Sequence, residues 1–173
     1  MSTKLLLTPI VCGLLALVAQ PKPLSAAKPS LAGSWTLRFV QSTPTPTPPV
    51  TEFPGLATFT ADGSLVETDG SELAPHPSAT VTGSAAFGSP GHGIWQLTPS
   101  MTGFYIQYLS FSVNANGTVN STSITTATVS MTTSTSGGTT ISGDYTTTTT
   151  SGTITKVSSG TLTGQLIPHP ALP

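Results

Sequence analysis

The sequence predicts an all-β protein, a single antiparallel up-and-down β-barrel of about eight strands, with a β-sandwich as the alternative. Ser and Thr supply about a third of the chain, and the β-branched Thr favours strands over helices. Apolar and polar residues alternate in several segments, which is the period of a half-buried strand. Turn dipeptides such as Asp-Gly and Asn-Gly separate these segments at hairpin spacing.

Composition and charge narrow the class of protein. The chain has 173 residues, enough for one domain. Only 6% are charged, against roughly 25% in ordinary soluble domains. Beyond the N-terminal segment the only Lys and Arg residues are Lys28, Arg38 and Lys156. Because phosphate binding needs clustered Lys and Arg, nucleic acid is not an expected partner.

Residues 1–26 have the parts of a secretory signal peptide, followed by a β-barrel domain at 27–173. Lys4 provides the positive charge, 5–18 is mostly apolar, and small residues precede the expected cleavage point. The apolar run is shorter than the ~20 residues of a membrane-spanning helix. We therefore expect a secreted or periplasmic protein with no membrane contact after cleavage. Cys12 would be removed with the signal, which leaves no thiol for a disulfide or a metal.

The first strand begins the barrel domain with strict alternation. Trp35, Leu37 and Phe39 share one face, as expected of a half-buried strand. The Pro-rich stretch 41–54 follows, and it is expected to form a long extended loop because proline cannot donate ladder hydrogen bonds. The predicted strands, in order, are 34–40, 55–60, 65–68, 92–97, 103–113, 118–131, 139–150 and 153–167.

Turn signals join most of these strands. Asp62-Gly63, Asn116-Gly117, Gly137-Gly138 and Ser151-Gly152 each separate two predicted strands. Residues 69–91 form a second long loop that includes a short strand at 79–81. A meander of this kind protects its edges best by closing on itself, which favours the barrel.

Four parts of the chain resemble known proteins. The motif at 33–35, Gly-Ser-Trp, resembles the G-x-W of lipocalins and other calycin barrels, which implies that Trp35 plugs the closed end and that 41–54 covers the mouth. Segments 57–63 and 89–95 (Ser-Pro-Gly-His-Gly-Ile-Trp), with the aromatic strand that follows, resemble small secreted bacterial proteins of uncharacterised function with a calycin-like domain. Lipocalins usually carry an Arg on a late strand, whereas here Lys156 is the only late cation.

The candidate site is a pocket inside the barrel for a small apolar ligand. A filled core is the alternative, since eight strands leave an interior that side chains can fill. His92 stands out because its flanking glycines allow close approach of a ligand, and the alternative is a turn-capping role. The residues assigned to this pocket are Trp35, Phe39, Phe59, His92, Trp95 and Tyr108.

No catalytic group, metal site or cofactor is predicted. His76, His92 and His169 lack the spacing of metal ligands, and no Ser lies in a nucleophile-elbow motif. Glu67 is the one acid on a strand that has the option of facing inward, and it is expected to point to solvent.

The main functional hypothesis is an exported, lipocalin-like binding protein for a small apolar ligand. One alternative is a barrel enzyme of the isomerase or cyclase type, resembling allene oxide cyclase, which needs His92 or Glu67 in a cavity. The other is a structural or adhesive envelope protein with a filled interior and a Thr-rich working surface. The oligomeric state is left open.

Overall fold

The computed structural model describes residues 28–43, 52–70, 76–77 and 85–168, so the predicted signal peptide and the predicted strand 79–81 lie outside the described residues. No helix in the described part of the chain is long and apolar enough to cross a membrane. The described residues form ten strands: β1 (Gly33–Thr43), β2 (Glu52–Phe59), β3 (Ser64–Asp69), β4 (His76–Pro77), β5 (Ala85–Gly88), β6 (Gly91–Leu97), β7 (Phe104–Asn114), β8 (Val119–Thr133), β9 (Thr139–Ser151) and β10 (Ile154–Leu166).

Eight of these described strands close into an antiparallel barrel, so the predicted fold is confirmed. Around the barrel the order is β1, β2, β3, β6, β7, β8, β9 and β10. The first and last strands close it, with Trp35 paired with Leu166 and Phe39 with Leu162. Closure pairs every barrel strand on both sides, which removes open sheet edges.

Strands β1 and β2 extend further into the Pro-rich segment than predicted. Their pairing continues to Val40 and Glu52, and only 44–51 lies outside the described residues. Two side-chain contacts accompany the extra length. Phe53 packs into the barrel, and on the outside Arg38 Nη2 donates to Glu52 Oε2 at 2.6 Å.

A bulge joins β5 to β6, and both strands pair with β7. Gly88 pairs with Ser112, and His92 pairs with Leu109. Between these two pairs, β7 has one residue fewer than the β5–β6 segment that it faces. Ser89 spans the bulge, because its amide donates to the Phe111 carbonyl at 2.8 Å and its hydroxyl accepts from the Phe111 amide at 2.9 Å. Strand β4 pairs with β5.

The end of the barrel at which β1 begins is closed and apolar. Trp35 is 1% exposed, and its indole nitrogen donates to the carbonyl of Leu31 at 2.8 Å. Leu31 is fully buried just before β1, and Phe59 meets the Trp35 ring edge-on at 6.4 Å. Trp35 therefore lies at the closed end, where the calycin resemblance places it.

Candidate functional site

The inward-facing residues change character halfway along the barrel. On β8, Ala127 and Val129 are buried toward the closed end, whereas Thr125 and Ser123 face inward toward the other end. Strand β9 makes the same change after Tyr145. We call the two parts the apolar half and the open half of the interior.

The open half contains a cavity of about 200 Å³. Its described lining residues are all buried or half-buried, so the space is enclosed by the barrel wall. They are contributed by β1, β2, β3, β7, β8, β9 and β10: Phe39, Gln41, Phe53, Asp69, Tyr108, Ser110, Ser123, Thr125, Tyr145, Thr147, Thr149 and Ser158.

Aromatic rings make up the apolar part of the cavity lining. Phe39 stacks on Phe53, with ring centroids 5.0 Å apart and an interplanar angle of 11°. Tyr145 meets Phe39 edge-on at 5.3 Å. Both arrangements are among those that aromatic quadrupoles favour. These contacting rings give the cavity an apolar surface.

Hydroxyl groups form most of the polar lining. On neighbouring strands β8 and β9, the hydroxyls of Ser123 and Thr149 are 2.8 Å apart, and so are those of Thr125 and Thr147. Each pair shares one hydrogen bond. Since a hydroxyl can donate once and accept twice, each pair keeps capacity for further bonds.

Two carboxyl groups follow one another on the inner face of β3. Asp69 is half-buried and lines the cavity, and Glu67 is 2% exposed deeper in the barrel. Room for Glu67 comes from two glycines. A Cβ at Gly55 would lie 3.2 Å from Glu67 Oε1, and one at Gly91 would lie 3.3 Å from Glu67 Oε2.

The expectation that Glu67 points to solvent is therefore wrong. Leu65 and Glu67 alternate onto the same inner face, as strand geometry requires. The glycines on the two neighbouring strands make this face wide enough for a carboxyl group. The positions that a Cβ would occupy at Gly55 and at Gly91 also lie close to the rings of Phe39 and Tyr108. Glu67 therefore lies next to the cavity floor.

Tyr145 brings a titratable phenol to the cavity. Burial raises its pKa above the ordinary value, and the negative charge of Asp69 raises it further. Both causes favour the protonated phenol. Tyr145 is therefore a hydroxyl donor at neutral and mildly alkaline pH.

The structure divides the predicted pocket residues between the two halves. Phe39 and Tyr108 line the cavity. Trp35 and Phe59 are packed in the apolar half, and Trp95 contacts Phe104 there at 5.8 Å between ring centroids. The indole nitrogen of Trp95 donates to the carbonyl of Thr60 at 2.9 Å, next to the closed end.

His92 does not face the interior. Its side chain is exposed on the outer wall, while Gly91 and Gly93 occupy the inward positions of β6. The bulge at Ser89 is the physical reason, because one extra residue transfers every following side chain to the opposite face. Gly91 and Gly93 are required there, since a Cβ at either would lie 2.5 Å from an atom of Tyr108.

The sequence did not predict the hydroxyl groups that line the cavity. Thr147 and Thr149 face the cavity, whereas Thr146 and Thr150 are exposed outside. In a run of five identical residues, 146–150, hydrophobicity cannot assign the faces. The only available signal was continuation of the alternation from Ile141 and Tyr145.

Two further features of the described residues bear on the site. No three His, Cys, Asp or Glu side chains in the described ranges come together in a way that could hold a metal ion. A depression of about 440 Å³ lies over β1, β9 and β10, but it is lined largely by exposed residues such as Arg38 and Gln165. The interior cavity is the better enclosed of the two.

No protein-family model, curated protein or solved structure matches this chain. The closed eight-stranded barrel of the described residues is compatible with a calycin-like architecture. Membership of the lipocalins stays a prediction from the sequence motifs.

Proposed function

We propose that this protein is an exported binding protein that holds a small molecule in the open half of its barrel, as lipocalin-like carriers do. The supporting observation is the cavity of about 200 Å³ inside the barrel, which is lined by both aromatic rings and hydroxyl groups. Small-molecule sites characteristically combine apolar surface with a few placed polar groups. The apolar half gives the cavity a packed floor.

The cavity changes the kind of ligand expected. The sequence predicts an apolar ligand, and Phe39 and Phe53 suit an apolar face. A purely apolar molecule would displace water from the hydroxyls that line the cavity without replacing its hydrogen bonds. Each group left unsatisfied would cost about 1–3 kcal/mol. We therefore propose a ligand with both an apolar face and hydrogen-bonding groups.

The two alternatives have less support. The barrel enzyme needs an acid or base in the cavity, and the inward position of Glu67 is the observation that favours it. His92, the other candidate, lies on the outer wall. The structural or adhesive protein requires a filled interior, which fits poorly with a cavity of this size.

Native mass spectrometry tests the proposal directly. The protein is recovered without denaturation from the medium or periplasm, and its mass is compared with that of the denatured chain. We expect an N-terminus near Ala27 and an additional small-molecule mass. Thr147→Leu, which fills the cavity, should lose the additional mass, whereas Thr146→Leu on the outer wall should retain it.

Two results would contradict this proposal. One is retention of the full precursor chain inside the cell, which opposes export. The other is a wild-type protein that carries no small molecule and whose melting temperature responds to no compound of a chemically mixed panel. Stabilisation by a ligand follows from its selective affinity for the folded state, so absence of any shift would indicate absence of binding.

A further inference from the structure

We infer that the ligand is a small uncharged polyol, meaning a single sugar ring or a sugar alcohol of similar size. This inference rests on the proposed function, because it names the ligand class of the same cavity. Four properties of the cavity carry it: volume, hydroxyl content, the aromatic surface and charge.

The volume selects a compact ligand. Sites for drug-sized molecules measure about 300–1,000 Å³, and this cavity measures about 200 Å³. At ~30 Å³ for each water molecule, it corresponds to about seven waters. Long-chain fatty acids, retinoids and carotenoids are too large, whereas one sugar ring has a suitable size.

Hydroxyl groups dominate the polar lining. Eight of the described lining residues carry a hydroxyl: Tyr108, Ser110, Ser123, Thr125, Tyr145, Thr147, Thr149 and Ser158. A hydroxyl both donates and accepts, so its best complement is a ligand that also does both at every position. Polyols have this property, and they can reproduce the hydrogen bonds of the waters that they displace.

The paired hydroxyls add a geometric condition. Within each pair, Ser123 with Thr149 and Thr125 with Thr147, one hydrogen is used by the partner and the other still needs an acceptor. Ammonium groups have donors only and cannot accept that hydrogen. A ligand hydroxyl can accept this hydrogen and donate its own to another acceptor.

The aromatic surface suits one face of a sugar ring. Phe39 and Phe53 are stacked, and both line the cavity. A pyranose presents apolar C–H groups on its ring faces and hydroxyls around its rim. Both kinds of group find a complement in a cavity that is lined by aromatic rings and by hydroxyls.

Charge disfavours an anionic ligand. The carboxyl group of Asp69 lines the cavity. Among the described residues no Lys, Arg or His belongs to the lining. Arg38 is paired with Glu52 on the outer wall, and Lys156 is exposed beyond the lining residue Ser158. Carboxylate or phosphate ligands would therefore meet like charge in a partly dry space.

Calorimetry and thermal melting with matched probes test the inference. Glucose, myo-inositol and mannitol represent neutral polyols. Glucuronate and glucosamine keep the ring but carry opposite charges, and cyclohexanol keeps the ring without its rim of hydroxyls. We expect saturable binding of at least one neutral polyol, with glucuronate bound at least about tenfold more weakly than glucose.

Three variants locate the binding and its cause. Thr147→Leu should abolish polyol binding, and Thr146→Leu, the same change on the outer wall, should preserve it. Asp69→Asn should reduce the difference between glucose and glucuronate. Circular dichroism and the melting temperature of each variant check that the barrel is intact, and Ser123→Ala provides a milder cavity variant should Thr147→Leu not fold.

The outcomes separate this inference from the proposed function. Cavity-dependent binding of cyclohexanol or glucosamine in preference to every neutral polyol overturns the polyol inference and leaves the binding function in place. Absence of binding for every probe class, with no effect of Thr147→Leu, overturns both. Polyol binding that survives Thr147→Leu and Ser123→Ala assigns the sugar to another site and also overturns the inference.

Discussion

The two halves of the barrel interior are formed by the same strands but contain different kinds of side chain. In the apolar half, Trp35, Phe104 and Ile141 are each 1% exposed and pack without polar groups facing them, apart from the Trp35 hydrogen bond to Leu31. In the open half, the inward positions of the same strands carry hydroxyls around a cavity. Strand pairing continues through both halves without a change of topology.

This difference shows how a small barrel can combine stability with the proposed ligand site. Burial of large apolar side chains supplies most of the folding free energy. Hydroxyl groups facing a polar cavity add little to stability, since water can satisfy them as well as a neighbour can. Substitutions in the apolar half should therefore affect stability, and substitutions in the open half should affect binding.

The largest expected effect is that of Trp35→Ala. This change removes a buried ring, its edge contact with Phe59 and its hydrogen bond to Leu31. Replacing a buried aromatic residue with Ala costs about 3–5 kcal/mol. Urea unfolding of the two proteins measures the loss, with Ser123→Ala in the open half as the comparison at under about 1 kcal/mol. Equal losses for the two variants would break the division between the halves.

Gly91→Ala should have the second-largest effect, because Gly91 lies where the two halves meet. The added Cβ would lie 2.5 Å from the Tyr108 ring, which must move. Overpacking of this kind typically costs about 1–3 kcal/mol. Displacement of Tyr108 should also weaken ligand binding, unlike Trp35→Ala in molecules that stay folded. Thermal melting and ligand titration measure the two effects, and an unchanged melting temperature would show that the ring has room to yield.

The strand pattern of this fold was predictable, and the reason is local. On β1, Trp35, Leu37 and Phe39 alternate with exposed residues, and Gly63 and Gly117 adopt the positive φ values, +94° and +82°, that their turns need. Barrel closure followed from the need to protect edges. These features depend on short stretches of sequence, so a single sequence is enough to predict them.

The site was less predictable, because its features depend on contacts distant in sequence. His92 faces outward, and its own strand indicates this: Trp95 and Leu97 face inward, and His92 is an odd number of residues from both. Glu67 faces inward because glycines on two other strands leave it space. Residue spacing does not show the long-range packing that decides the position of Glu67.

A double-mutant cycle on Thr125 and Thr147 sharpens the comparison further. Their hydroxyls are 2.8 Å apart, and removing one partner of such a bond costs about 0.5–1.5 kcal/mol. Because water can enter this half, we expect Thr125→Val, Thr147→Val and the double variant all to fall near the lower limit. Denaturant unfolding provides the coupling free energy. A coupling above about 2 kcal/mol would mean that the pair is dry and structural.

The smallest expected effect is a loss of stability at alkaline pH that originates at Tyr145. Burial first, and then the charge of Asp69, raise the pKa of this phenol above its ordinary value of 10.0. Since the folded-state pKa lies above that of the unfolded chain, the contribution to stability is fully present below the unfolded value and is lost as the pH rises through the folded one. The denaturant midpoint of unfolding should therefore fall as the pH is raised from below 10 to above 10. This fall should be smaller in Tyr145→Phe than in wild type. Asp69→Asn should remove only the smaller part of the pKa shift, because burial is the larger cause. If Asp69→Asn removed nearly all of it, the phenol would be well solvated, and the cavity would be more open to water than its half-buried lining indicates.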